Sequence, residues 1–365
     1  MPLDQKTGER SLCKELDLFG AELLVVDGSK FAAQNSKDKN FTRAKLERLL
    51  KAVDEKIENY LEELEHSDAQ EAPVKKPTAT ELMEKIQALE GRKERYDQLL
   101  HELEKQEAEG ETQLSLTDAD SRSMPKSPKV DVGFNVQVAV DSRHKLVVEQ
   151  AVTNAVTDQN QLSTTAIAAK ETLGVDTIDL AADRGYYDGP EVKTCEAAGI
   201  TCYIAKPLTS ANQKQGLFTK EDFRYDKDQD GYLCPAGSCL TFRFDTVELG
   251  RHIRYYATPA CKGCSLREQC TRNKGGRRIT RWVDEHLLEA MAERVKNEPE
   301  KLRLRKQVVE HPFGTIKRGW DAGYFLMRGL EKVKGEFSLT ALCYNLRRAI
   351  TIVGVAKLLE VAAAG

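Results

Sequence analysis

The stretch TIDLAADRGYYDG (177–189) decides how the chain is read. An apolar run of strand length stops abruptly at Asp183, and Arg184, Gly185 and two tyrosines follow. A short apolar run bounded by turn residues suits a strand covered on both faces. The carboxylate at its tip has two readings. It caps the helix that follows, or it belongs to a set of acids gathered at strand ends to hold metal. One Asp cannot separate these, so its partners must be sought along the chain.

AELLVVDGSKF (21–31) is a second apolar run, and it ends in Asp27-Gly28. Between the two, VGFNVQVAVDSRHKLVVEQAVT holds two partly alternating runs around a polar turn, which predicts a hairpin. TDQNQLSTTAIAAKETLG follows as a helix, with Thr157 or Asp158 at its N-cap and Gly174 closing it. A helix near 189–198 and a strand over 201–206 come next. Antiparallel pairing mixed with crossovers predicts an α/β protein with a mixed sheet flanked by helices.

Two segments interrupt that core. From residue 43, Leu46, Leu50, Val53, Ile57, Tyr60 and Leu64 recur in steps of four and three. After a polar loop with Pro73 and Pro77, Leu82, Ile86, Leu89, Tyr96, Leu100 and Leu103 repeat the rhythm, broken only at Lys93. Thr78 and Glu81 have the spacing of a capping box. The pair predicts an antiparallel coiled-coil hairpin whose seams satisfy each other, a packing role rather than a dimerisation arm or DNA clamp. The second interruption, 208–285, combines short aromatic strands with clustered cysteines. The expected units are 1–42 (first part of the core), 43–112 (helical hairpin), 113–207 (core continued), 208–285 (Cys-rich β insertion), 286–350 (core helices) and 351–365 (helical tail).

Composition narrows the class. The chain has 365 residues, with 55 Lys plus Arg against 58 Asp plus Glu, so any DNA-binding surface is a local patch. No stretch has the length of a membrane span and no signal-peptide pattern opens the sequence. Nine cysteines without an export signal point to reduced thiols and a cytoplasmic location. No Walker loop, dinucleotide fingerprint, HExxH or nucleophile elbow is present. DKDQDG (226–231) opens like an EF-hand loop, but position twelve is Gly237, and it reads as a hairpin turn.

Asp27 and Asp183 both end strands, where ligands collect in open α/β sheets. If the strands are neighbours, the two carboxylates repel unless a divalent cation neutralises them; oxygen donors suit Mg²⁺ or Mn²⁺. A third acid would complete a two-metal site. Glu310 in RLRKQVVEHPFGTIKR is the candidate. Arg303, Lys306, Glu310 and Lys317 share one helical stripe, although Pro312 and Gly314 predict a break just after Glu310. Asp118, Asp120, Asp141 and Asp158 are rival acids with structural explanations as loop, turn or capping residues.

VVDGSK, ADRGYY and VVEHPFGTIKR, followed by GYFLMRGLEKVKGEFSLTALCYNLRRA, closely resemble DDE transposases of bacterial insertion sequences, most of all the eleven-eighty-two group. FNVQVAVD, LTDADSRSM and the cysteine-bearing insertion extend the likeness over nearly the whole chain. The resemblance implies an RNase H-like core, a catalytic metal-binding triad of Asp27, Asp183 and Glu310, and Mg²⁺-dependent cleavage and strand transfer on double-stranded DNA by a homodimer on paired ends. Related transposases carry a Tyr-Arg-Glu-Lys signature. Here its positions fall on Arg303, Lys306, Glu310 and Lys317, so the tyrosine is absent and the arginine is lysine. Only about twenty residues precede the first catalytic strand, shorter than the usual end-recognising region. A nuclease that cuts without joining, and a DNA-binding remnant, are the alternative functions.

Cys261, Cys264 and Cys270, with Cys234 opening a Cys-Pro-x-Gly turn, suit a tetrahedral thiolate site, structural Zn²⁺ first; Cys239 is an alternative to Cys234. An iron–sulfur cluster takes the same ligands, and reduced packing thiols are the plain alternative. Cys13, Cys195, Cys202 and Cys343 read as packing residues. GGRRITRW (275–282), KLRLRK (301–306), Lys317 and Arg318 form the expected DNA surface, with Trp282 and Trp320 available for stacking.

Overall fold

A computed structural model describes residues 13–67, 78–108, 110–126, 129–207 and 211–364. The opening residues and the loop with Pro73 and Pro77 lie outside the described residues, as does Pro128. The central sheet takes its strands from both sides of the helical interruption. β1 (Leu23–Ala32) pairs antiparallel with β5 (Lys129–Asp141) and parallel with β7 (Ile178–Ala182), which pairs parallel with β8 (Ile200–Ile204). On the other edge of β5 lie β6 (Val147–Thr153), the predicted hairpin partner, and β4 (Arg122–Lys126).

β1 shows why the apolar runs became interior strands. Leu24 and Val26 pack into one core, and Leu23 and Val25 into another on the opposite face. The first core is covered by α3 (Leu162–Leu173), α4 (Gly189–Ala197) and α5 (Glu285–Asn297), through residues such as Ala166, Val192 and Met291. The second is covered by α6 (Pro299–Gly314) and α7 (Leu330–Ala364), through Val308, Val309, Val333 and Phe337. Burial on both faces favours side chains without polar atoms, which residues 23–26 supply in β1 and every residue but the half-buried Asp179 supplies in β7. Helices on each side of a mixed sheet give the expected RNase H-like α/β fold.

The helical interruption folds as α1 (Arg43–Ser67) against α2 (Ala79–Glu107). Leu46, Val53, Leu82, Leu89 and Leu103 of the predicted seams are buried, and Lys93, at the break in the rhythm, reaches Asp54 at 2.7 Å. The capping box is present: the Thr78 amide donates to Glu81 at 2.9 Å and the Glu81 amide to Thr78 at 3.3 Å. At the base, β2 (Asn40–Phe41) and β3 (Leu114–Ser115) pair antiparallel, so the chain leaves and re-enters the core at one place. LTDADSRSM is explained just beyond. Asp118 accepts from the Gly329 amide at 3.2 Å and Asp120 from the Leu330 amide at 2.7 Å, so both hold the first turn of α7.

The Cys-rich interruption is a five-stranded antiparallel sheet in the order β13-β12-β11-β10-β9 (Arg278–Trp282, Arg251–Ala257, Cys239–Glu248, Gly231–Leu233, Arg224–Asp226). DKDQDG forms its β9–β10 turn, as read from the sequence. Tyr256 packs edge on against Tyr225 and Tyr232, beside Phe223, Leu240 and Ile279. No helix among the described residues is long and apolar enough to cross a membrane.

Candidate active site

Register brings the first two predicted acids together. In the parallel β1–β7 pair, Val26 stands opposite Ala182, so the next residues on each strand are Asp27 and Asp183. Adjacent strands lie about 4.8 Å apart, so like-facing side chains are neighbours. β7 ends there, and Asp183 caps a short 3₁₀ turn (Arg184–Tyr186) by accepting the Gly185 amide. Asp183 thus caps the turn while standing beside Asp27.

Asp27 is half-buried. Its Oδ1 accepts the Gly28 amide at 2.9 Å and its Oδ2 accepts Arg305 at 3.1 Å. Burial pushes its carboxyl up to about 6, although Arg305 and the Gly28 amide pull it down; the charges of Asp183 and Asp158 push it further up. Its electrostatic neighbours are thus two more carboxylates and one guanidinium.

Asp158 is the acid that sequence reasoning set aside. The expected N-cap role is overturned: α3 starts at Leu162, its N-cap is Gln161, and no side chain caps it. Asp158 instead turns to the sheet and accepts Asn135 and Gln137, each at 2.8 Å, and Lys30 at 3.3 Å. A charge-assisted bond from an ammonium and two amide donors outweigh one helix-end amide. Tyr186, fully buried, donates to the other side of the Gln137 amide. Gly28 makes the space, because a Cβ there would stand 2.5 Å from both Asp158 Oδ1 and Gln137 Nε2. An Asp followed by Gly on a strand that otherwise carries side chains was the signal for this close approach.

Glu310 is not brought to that cluster. Val308, Val309 and Pro312 of α6 face the sheet, while Glu310 is exposed. It lies five residues past Arg305, about 140° around the helix from the side chain that meets Asp27. The helix also runs through Pro312 to Gly314 and continues as a π turn over Thr315–Gly319, so the predicted break after Glu310 is absent.

The expected basic surface divides. Arg303, Lys306 and Arg318 are exposed. Lys317 is turned inward, donating to Ser29 Oγ and to the Lys30 carbonyl at 2.7 Å with its ammonium 4.3 Å over Phe31. Arg305 pairs with Asp27 and Lys301 with Asp179 at 2.6 Å. Arg281 is buried over the Tyr225 ring and bonded to Glu289 at 2.8 Å. Trp282 is buried against Gly189, and Trp320 packs against the second core, so neither is an open stacking platform. Runs of Lys and Arg look alike in sequence whether they face DNA or a buried acid.

Cys13, Cys195 and Cys202 are buried as expected, whereas Cys343 is exposed on α7 and does not pack. Cys234, Cys261, Cys264 and Cys270 line one small cavity that excludes the exposed Cys239.

Asp27 and Asp183, with Asp158 beside them, offer hard oxygen donors and a mutual repulsion that a divalent cation would relieve, which fits Mg²⁺ or Mn²⁺. The fit covers the donors and not yet their arrangement: among the described residues no group of three or more His, Cys, Asp or Glu is poised to hold a metal ion.

The pair of Asp27 and Asp183 stands at the carboxyl ends of parallel strands in a mixed sheet flanked by helices, the place where ligands collect in open α/β sheets. Residues 233–350 match the family model described as the transposase DDE domain. This span contains Glu310 and the four cavity cysteines; Asp27 and Asp183 precede it. The chain also aligns with one in a cryo-EM structure of a piggyBac transposase synaptic complex with hairpin DNA, at 9% identity and a TM-score of 0.22, a likeness too slight to argue from. The alignment covers 66% of this chain and 52% of that one, so the chain spans about half the length of the protein it aligns with. No curated protein matches.

Proposed function

We propose that the protein is a DDE transposase of insertion-sequence type that cuts and joins double-stranded DNA with a divalent cation, acting in the cytoplasm as a homodimer on paired ends. The observation that carries this is the placement of Asp27 and Asp183 side by side at the ends of parallel strands, with the Asp27 carboxyl raised to about 6 by burial and by its acidic neighbours. The match of residues 233–350 to the transposase DDE domain supports it independently.

Asp27 and Asp183 would hold Mg²⁺ or Mn²⁺, with Glu310 as the third acid. The cation would lower the pKa of an attacking hydroxyl and stabilise charge at phosphorus. Arg305 then balances charge at Asp27, Asp158 holds Lys30 and the amides of β5 in place, and the exposed Arg303, Lys306 and Arg318 offer a surface to the phosphate backbone. Glu310 must approach the aspartates for this, so the catalytic arrangement differs from the present one at α6.

Supercoiled plasmid carrying the DNA that flanks the gene is the substrate for the test. Mg²⁺ or Mn²⁺ should produce nicks and joined products with the wild type and neither with Asp183→Ala, while DNA affinity stays within about threefold. Equal metal-dependent cleavage by Asp183→Ala would sink the assignment. Nicks without joined products would indicate a nuclease. The outward position of Glu310 favours one second reading, a DNA-binding remnant, which would bind the plasmid and never cut it.

A further inference from the structure

The β9–β13 sheet raises a question that catalysis does not answer. Its own core has five buried residues, Phe223, Tyr232, Leu240, Tyr256 and Ile279, while Phe242, Phe244 and Val247 of β11 are exposed. A unit with so small a core ordinarily needs a covalent or metal staple.

Four thiols lie where such a staple belongs. Cys234 opens the Cys-Pro-Ala-Gly turn after β10. Its amide donates to the Ser238 carbonyl at 3.0 Å, the Gly237 amide returns to the Cys234 carbonyl at 2.9 Å, and the Ser238 amide donates to Cys234 Sγ at 3.3 Å. Gly237 takes a left-handed φ of +78°, which only this residue type adopts freely. Cys261 lies on the 3₁₀ turn Pro259–Gly263, Cys264 directly after it, and Cys270 ends a one-turn helix. All four line a single cavity with Phe223 and Leu240.

We infer that Cys234, Cys261, Cys264 and Cys270 form a four-thiolate site for Zn²⁺ that clamps the Cys-Pro-Ala-Gly turn to the 261–270 segment. Four sulfurs without imidazole or carboxylate select a soft or borderline cation, and a site with all four positions filled by protein is structural. Among the described residues no three of these thiols stand grouped closely enough to hold a metal ion. Ligation therefore draws together two segments that both lie outside the strands, and each thiol releases its proton to solvent as it binds. Packing alone does not explain the set, since each of these cysteines is only half-buried, unlike Cys195 and Cys202 in the main core. The inference is independent of the transposase reading.

The test uses the full chain purified under reducing conditions. Elemental analysis should find one Zn²⁺ per chain, and Co²⁺ exchanged into the protein should give the intense sulfur-to-metal absorption of a tetrahedral thiolate site. Cys264→Ser should lose at least tenfold in Zn²⁺ affinity and most of that absorption, whereas Cys343→Ser should change neither. If Cys264→Ser does not fold, alkylation of the wild type decides: adding a chelator should expose Cys234, Cys261, Cys264 and Cys270 together. Zinc binding unaffected by Cys264→Ser, equal alkylation of the four with and without Zn²⁺, iron in place of zinc, or a disulfide within the set would each overturn the inference.

Discussion

Replacing Asp27 by Asn tests the electrostatics of the acid cluster without any substrate. In the metal-free fold the carboxyl is raised from 3.8 to about 6. A raised acid binds its proton more tightly in the folded than in the unfolded chain. Its protonated form thus adds stability that is complete below pH 3.8 and is lost as pH rises through 6. A rise of about two units corresponds to a total loss of roughly 3 kcal/mol by pH 8, about half of it already gone at pH 5. The amide introduced by Asp27→Asn keeps an oxygen for the Gly28 N–H and cannot ionise, but leaves Arg305 without its anion. That last cost varies little with pH in this range, because an arginine stays charged. The stability difference between Asp27→Asn and wild type should therefore shift by about 1.4 kcal/mol in favour of the variant between pH 5 and pH 8. Urea unfolding of both proteins in chelator at the two pH values measures the shift and cancels the Arg305 offset. A difference that does not change with pH would refute the account and leave Asp27 as an ordinary ion-pair partner of Arg305.

Two further substitutions probe how the site is held. Asp158→Ala should cost about 2 kcal/mol by leaving Lys30, Asn135 and Gln137 without their acceptor, and it should lower the Asp27 pKa by removing a neighbouring anion; urea unfolding and carboxyl titration by NMR read the two effects. Gly133→Ala should destabilise by about 1–3 kcal/mol, since its Cβ would overlap the Phe31 backbone carbonyl on the neighbouring strand; a thermal melt unchanged from wild type would contradict that packing.

The strands that carry the aspartates were legible because burial on both faces leaves a continuous apolar run, and the acids at their tips then stand out. The helical hairpin was legible from its heptads and capping box for the same local reason. What escaped were pairings made through space. Asp158 follows a threonine at the approach to a helix and has the look of a cap; only the fold reveals Lys30, Asn135 and Gln137 around it. Arg305 was hidden in a basic run, because one sequence pattern serves a DNA-facing stripe and a guanidinium turned toward Asp27. Pro312 misled because its buried packing in the second core's helix outweighs the local tendency of proline to end a helix. Glu310 was assigned by its motif, and a motif carries chemistry without carrying the position of the helix it sits on.

The two-residue pairing of Asn40–Phe41 with Leu114–Ser115 reaches beyond local packing. It sets the departure and return of a long excursion one strand spacing apart, so β1 and β5 meet the same boundary condition whatever lies beyond. The cost of closing a loop grows only with the logarithm of its length once its ends are tied. The arm is therefore a free variable of the architecture: it can lengthen, shorten or acquire a new tip over generations, while the strand that carries Asp27 keeps its register.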